Sequence, residues 1–209
     1  MSIPLVVAAS IAGPIVGANL WRIGPREGRQ FRTRTGYTAT IIALGLFVGM
    51  ALVTDNWALV IAGWILIAGL VSASWIDLLT HRLPRQVSYS TLGAGLPFLI
   101  VAAVLEDESG RIVWVFLGLF MATAIMAILY LIGRGALGAG DVRLAPTLGA
   151  FLGWYGPRAV FYGVFLGFVA ATFVSIVLLA LKRLDRKDEV PMGPFLMVGT
   201  LIMFIGAAV

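Results

Sequence analysis

Long apolar runs separated by short polar stretches dominate the hydrophobic pattern of this chain. A helix needs roughly 20 apolar residues to cross a bilayer, and fewer where it packs inside a bundle. By this criterion the pattern predicts eight helices, near residues 3–21, 37–54, 57–76, 87–105, 111–133, 144–156, 158–181 and 194–209. The sixth run is short and rich in Gly and Pro, which is also typical of a broken or re-entrant segment. The predicted fold is an all-α polytopic membrane bundle, with residues 1–209 as a single membrane-embedded domain.

Composition supports this class, because 60% of the 209 residues are hydrophobic and the mean hydropathy is +1.00. One soluble core could not bury so much apolar surface. The chain has no cysteine, which excludes disulfides, thiolate metal sites and cysteine nucleophiles. Its one histidine, His81, cannot form a multi-histidine cluster, and the carboxylates lack the usual ligand spacings. We therefore expect no metal and no other cofactor.

The positions of the basic residues predict the topology. Thirteen of the fifteen Lys and Arg residues lie in four alternate loops, which follow the first, third, fifth and seventh predicted spans. The other loops contain only Arg111 and Arg158 together with four acids, Asp55, Glu106, Asp107 and Glu108. Since Lys and Arg accumulate on the cytoplasmic side, the four basic loops are predicted to be cytoplasmic and both termini to lie outside. This alternation favours an even number of spans and hence a crossing by the sixth run.

A net charge of +5 raises the question of a nucleic-acid partner. Five of the arginines lie between residues 22 and 34, directly after the first predicted span. Because these charges lie within reach of two helix ends, contact with anionic lipid is favoured over docking of a nucleic acid or another partner. We expect the bilayer, and no nucleic acid, as the partner of this loop.

Two acids, Asp77 and Asp141, need an explanation in this topology. Asp77 ends the third apolar run, and Asp141 precedes the sixth at the same predicted membrane face. Carboxylates near hydrocarbon are costly unless they are paired, hydrated or used. In one interpretation Asp77 pairs with Arg82 or Arg85, and Asp141 is the N-cap of the sixth helix. In the other, the two aspartates share one proton and act as general base and general acid.

Such a pair can activate water without a metal or a thiol, which is the chemistry of aspartic peptidases. The glycines of Gly138-Ala139-Gly140-Asp141 fit that role. Without side chains they let a substrate backbone or a neighbouring helix approach the carboxylate closely. Glycine is also frequent in membrane helices, so this short motif does not decide between the two interpretations.

Three segments taken together resemble the type IV prepilin peptidases, the GxGD aspartic proteases of bacterial membranes. In the first segment, DLLTHRLP, Asp77 is followed seven residues later by Pro84. The second, GAGDVR, ends at Arg143 and is similar to the family's GxGDxK. The third, PMGPF at residues 191–195, looks like the start of the family's last helix. The resemblance covers essentially the whole chain, and it departs from the family's pattern at Arg85 and Arg143, where an acid and a lysine are usual.

The resemblance implies an aspartic endopeptidase with Asp77 and Asp141 as the catalytic pair. Its motif residues near the substrate would be Pro84, Gly138, Gly140 and Arg143. The implied substrates are prepilins or pseudopilins of pilus and secretion machines, whose basic leader is cut at the cytoplasmic face of the bacterial inner membrane. The loop after the first span is short and lacks the cysteine-bearing insertion of bifunctional members, so methyltransferase activity is expected to be absent.

Two other functions remain open at the level of sequence. A proton- or cation-coupled transporter could use the two aspartates, although it would be expected to place acids nearer mid-membrane and to show related broken helices in two halves. A non-catalytic scaffold of a pilus or secretion machine could retain the same fold without proteolysis. A cleavage assay separates the peptidase from both.

Overall fold

The computed structural model describes residues 4, 7–8, 29–80, 83–133, 137–182 and 192–207, with no side-chain detail for 29–40 and 79–80. Within these ranges the chain forms seven helices and no strand. The helices are α1 (Arg29–Val53), α2 (Trp57–Thr80), α3 (Arg85–Leu105), α4 (Gly110–Ile132), α5 (Ala139–Gly153), α6 (Pro157–Ala180) and α7 (Gly193–Gly206). The predicted all-helical fold class is confirmed for this part of the chain.

The helix bounds agree with six predicted spans to within a few residues, and the first predicted span falls mostly outside the described residues. Two helices begin before their predicted spans. α5 begins at Ala139 and not at residue 144, so Asp141 lies inside the helix that it was predicted to precede. The second span was predicted to start at residue 37, after a basic loop, but α1 already begins at Arg29. Arg, Gln and Thr are all tolerated in helices, so the apolar pattern marks only where hydrocarbon contact starts and not where the helix starts.

Four helices, α2, α3, α4 and α6, are long and apolar enough to cross a membrane. The apolar part of α1, Ile41–Val53, and the helix α7 are shorter. At 15 residues α5 is also short, and it runs as one continuous helix although it contains Pro146. The alternative of a broken sixth segment is therefore wrong for residues 139–153.

The short helix α5 lies in the centre of the bundle. Ten of its fifteen residues are buried, and it packs against α3, α4, α6 and α7. Its closest neighbour is α4, because a Cβ atom on Gly118 or on Gly149 would overlap the carbonyl oxygen of the other glycine. Such backbone contact between small residues is how membrane helices gain packing energy without a hydrophobic driving force. Buried in this way, α5 needs no lipid-facing length of its own.

The helix connections gather at two ends of the bundle. At the first end, the side-chain amide of Asn56, just before α2, donates to Glu106 Oε1 at 2.9 Å and to the carbonyl of Ala102 at 3.2 Å. We call this the arginine end, since Arg111 also lies here, stacked over Trp154 at 4.9 Å. Asp77 lies about 30 Å farther along α2, at 1.5 Å per residue. With Asp141 it defines the opposite end, the aspartate end.

The outward faces of α4 and α6 are strongly apolar. Large side chains there are half exposed or more: Phe120, Leu131 and Ile132 on α4, and Phe165, Phe173 and Ile176 on α6. Apolar surface on this scale marks a face that is covered in the native environment.

Candidate active site

Asp77 lies near the end of α2 and is only 5% exposed. Its Oδ2 atom accepts a hydrogen bond from the backbone N–H of Gly193 at 2.9 Å, and this contact is buried. Gly193 is the first residue of α7, so the N-terminus of that helix points at the carboxylate. The carboxylate is therefore fixed by the backbone of a helix 116 residues farther along the chain.

Asp141 lies in the first turn of α5 and is also 5% exposed. The N-cap position belongs to Gly138, whose backbone is extended, and no side chain caps the helix. The interpretation of Asp141 as the N-cap residue is therefore wrong. Its backbone N–H bonds back to the carbonyl of Gly138 at 3.1 Å, and its side chain turns inward.

The fold brings the two carboxylates together at the aspartate end. Asp141 lies outside the four helices that are long enough to cross a membrane. Burial first, and then the negative charge of Asp77, raise the pKa of Asp141 to about 7, against a smaller opposing effect of the Gly138 backbone. A carboxyl group with such a pKa is about half protonated at neutral pH, as expected for one member of an interacting pair.

The two glycines of the GxGD segment lie in close contact with their neighbours. A Cβ atom on Gly140 would lie 2.8 Å from Cβ of Leu83, so the segment before α3 packs directly on the start of α5. A Cβ atom on Gly138 would lie 3.0 Å from Oδ2 of Asp141. Pro84 follows Leu83 and is the N-cap residue of α3, and its backbone is extended. Three of the predicted motif residues thus surround Asp141, directly or through Leu83.

Arg143 is half buried on α5, and within the described residues no ion pair joins it to Asp141. Arg85 is exposed at the start of α3. His81 and Arg82 lie outside the described residues, so the pairing of Asp77 with Arg82 stays a prediction.

A pocket of about 680 Å³ opens at the arginine end, and neither aspartate lines it. Its polar wall consists of Glu106, Glu108 and Arg111, with ion pairs from Arg111 to both glutamates. The hydrogen bond from Arg111 holds the pKa of Glu108 below its usual value. Both acids are exposed and lie beside this cation, an arrangement typical of surface ion pairs. Within the described residues, no group of three or more acidic or histidine side chains could hold a metal ion.

Gly193 was not among the predicted site residues. The PMGPF segment was noted only for its likeness to a family motif, and its distance from Asp77 along the chain hid the contact. The signal was present, since a glycine next to a proline before an apolar run indicates a helix start that something approaches closely.

The sequence pattern of the type IV leader peptidase family matches residues 64–176. That stretch is more than half of the chain and includes both aspartates. The chain belongs to the type IV leader peptidase family. Together with the four long apolar helices, this membership indicates a multi-pass membrane protein.

Curated relatives agree with the family match. The chain is 27% identical over 189 residues to the prepilin leader peptidase/N-methyltransferase of Aeromonas hydrophila, which covers 89% of this chain and 63% of the relative. It is 30% identical over 182 residues to the protein of that name from Burkholderia pseudomallei (strain K96243), which covers 82% and 55%. The chain thus spans less than two thirds of the length of these relatives. No solved structure matches the chain.

Proposed function

We propose that the chain is an aspartic endopeptidase that removes the leader of prepilin-like proteins, with Asp77 and Asp141 as its catalytic pair. The observation that carries the proposal is that two buried carboxylates, from separate helices, lie at one end of the bundle, close enough for the charge of Asp77 to raise the pKa of Asp141. Buried acids are expensive, and an interacting pair with one raised pKa is typical of a catalytic dyad. Family membership and the printed names of the relatives support prepilins or pseudopilins as the substrate class.

In the proposed reaction one carboxylate takes a proton from water while the water oxygen attacks the peptide carbonyl carbon. The other carboxyl group donates its proton to the carbonyl oxygen, which forms a tetrahedral intermediate. Cleavage of the C–N bond then returns a proton to the leaving amine, and a new carboxyl terminus forms on the leader. The proposal covers peptide hydrolysis alone, and the absence of methyl transfer stays an expectation from the sequence.

Three of the proposed motif residues, Gly138, Gly140 and Pro84, act by leaving room for the substrate or by positioning Asp141. Gly138 is exposed beside Asp141, so a substrate backbone can reach the carboxylate from that side. Gly140 and Pro84 hold the Leu83 segment against α5 and thereby fix the position of Asp141. Arg143 supplies a positive charge two residues after Asp141.

We further propose that residues 1–209 form one domain in the bacterial inner membrane, with eight crossings, the termini outside and the aspartate end in the cytoplasm. The loop charges support this orientation, since the described part of the aspartate end carries Arg85, Arg143 and Lys182 while the arginine end carries four of the six acids among the described residues. The exposed apolar faces of α4 and α6 support contact with lipid.

The test replaces each aspartate by asparagine, which keeps the shape and removes the acid. Asp77→Asn and Asp141→Asn are each expected to lower leader cleavage by at least about 1000-fold. The assay co-expresses each variant with prepilins from the same genome, in cells that lack other processing enzymes, and follows the products by N-terminal sequencing.

Asp107→Asn is the matched control. Asp107 lies in the turn after α3 with φ +56°, a conformation that asparagine also adopts readily, and it is exposed. The Asp107→Asn variant is expected to cleave prepilins at the wild-type rate. Normal cleavage by either active-site variant would exclude the peptidase assignment of the pair and favour the transporter or scaffold interpretation.

A further inference from the structure

The two carboxylates of the pair have different surroundings, and the difference begins at the N-terminus of α7. The first N–H groups of any helix lack partners inside that helix. In α7, Pro194 has no N–H, and the N–H groups of Phe195 and Leu196 both bond to the carbonyl of Met192. The N–H of Gly193 is the one that Asp77 accepts, at 2.9 Å.

The approach of α7 requires glycine at this position. A Cβ atom on residue 193 would lie 2.8 Å from Oδ2 of Asp77 and 3.2 Å from its Cβ. Any side chain would therefore displace the carboxylate or the helix. With glycine, the N–H and the positive end of the helix dipole both reach the Oδ2 atom, and both favour its charged form.

Asp141 is in a less favourable place for a charge. The Gly138 backbone offers it some stabilisation, but burial and the charge of Asp77 outweigh this and raise the pKa of Asp141 to about 7. Within the described residues no cation forms an ion pair with it.

Other charged groups near this end are few among the described residues. α7 carries no titratable side chain, α3 contributes Arg85 and Tyr89, both exposed, and α5 contributes Arg143 besides Asp141. The exposed Lys182 follows the end of α6. The α1 side chains before residue 41 and the residues 81–82 lie outside the described part. Asp77 accepts the backbone N–H that begins α7, whereas the backbone interaction of Asp141 with Gly138 is outweighed by burial and by the charge of Asp77.

We infer that Gly193 is a positioning residue: its N–H holds Asp77 as the ionised member of the pair, and Asp141 carries the shared proton before each turnover. The inference rests on the proposed function and assigns its two roles. Asp77 is the general base that takes the proton from water, and Asp141 is the general acid that donates to the carbonyl oxygen.

The kinetic test removes this N–H without adding a side chain. Glycolic acid is placed at position 193 during cell-free synthesis of the full chain into lipid nanodiscs, so that an ester replaces the amide. The pH dependence of kcat is measured with a purified prepilin that the wild type cleaves. The acidic limb of the profile is expected to move to higher pH by about one unit, because a base without its donor is harder to ionise.

Two alanine variants complete the series. Gly193→Ala is expected to lower kcat at least about tenfold, with KM less affected, since its Cβ displaces the carboxylate. Gly206→Ala is the matched control on the same helix, because a Cβ there meets nothing within 4 Å. If the N–H only stabilises the fold, the ester lowers kcat equally at all pH values and the limbs stay in place, which overturns the inference.

The second measurement does not depend on cleavage. The full chain is labelled with carbon-13 in the aspartate side-chain carboxyls, and NMR resonances are assigned with Asp77→Asn and Asp141→Asn. Where the pair holds one proton, the Asp77 carboxyl is expected to show the ionised chemical shift and Asp141 the protonated one. The opposite assignment overturns the inference even if both aspartates prove essential, whereas normal cleavage by either asparagine variant overturns the proposed function instead.

Discussion

The two ends of the bundle use carboxylates in opposite ways. At the arginine end, Glu106 and Glu108 are exposed and form ion pairs with Arg111, which in turn lies over the ring of Trp154. At the aspartate end, Asp77 and Asp141 are buried, and each is close enough to be affected by the other's charge. The first arrangement has little effect on the free energy of unfolding, as is general for exposed ion pairs. The second is costly to maintain and is therefore the better candidate for chemistry.

A cavity of about 680 Å³ lies at the arginine end, and neither aspartate lines it, so the proposed site rests on the chemistry of the carboxylates and not on cavity volume. The difference between the ends predicts which substitutions matter, in decreasing order of effect.

The largest effect is expected from neutralising the aspartate pair as a unit. Asp77→Asn and Asp141→Asn should each remove at least about 1000-fold of the cleavage rate, and the double variant should lose little more than either single variant. Each carboxylate is active only together with the other, so the second substitution has little activity left to remove. Single-turnover rates of the three variants measure this. Losses that multiply to about a million-fold would show that the two residues act independently.

The next effect is a fall in activity with rising pH. Asp141 holds its proton below its pKa of about 7 and loses it above, so the general acid disappears as pH rises through that value. The rate should then fall about tenfold for each further pH unit. The other end should not contribute, because Arg111 keeps the pKa of Glu108 below its usual range. Initial rates from about pH 5 to about pH 9 test this, and a rate that stays flat above neutrality would contradict it.

A smaller effect, on stability, is expected at the close backbone contact between α4 and α5. Gly149→Ala places a Cβ against the Gly118 carbonyl and should cost about 1–3 kcal/mol of the free energy of unfolding. Gly93→Ala is the control, since that Cβ meets nothing within 4 Å and the residue lies on exposed α3 surface. It should be neutral or slightly stabilising. Unfolding of both variants in detergent micelles measures the difference, and equal stabilities would refute the close α4–α5 contact.

The smallest effect is expected at the arginine end. Arg111→Gln removes both ion pairs and the stacking on Trp154, yet cleavage should stay within about twofold of the wild type. The melting temperature should fall by a few degrees at most, because the pairs are partly exposed. Cleavage rates and thermal unfolding check the two parts. A large loss of cleavage without unfolding would show that this end also takes part in the reaction.

Much of the fold could be predicted from the hydrophobic pattern. The limits of α2 to α7 follow from apolar runs bounded by Gly, Pro and charged residues, and these signals are local. The start of α1 was missed, since a basic segment can continue a helix without showing apolar periodicity. The role of Asp141 as a helix cap was an equally local inference, and it was wrong because a glycine at the N-cap position leaves the carboxylate free to turn inward.

By itself the sequence determined the helices, the two aspartates and the likeness to a peptidase family, because each of these depends on residues near one another in the chain. Only the tertiary structure decided that Asp141 lies within reach of the charge of Asp77, and that the N–H of Gly193 donates to Asp77. These two interactions join residues 64 and 116 positions apart. They exist because the central helix α5 and the glycine-led α7 pack closely enough to bury both acids, and such packing leaves no periodic signal in the chain.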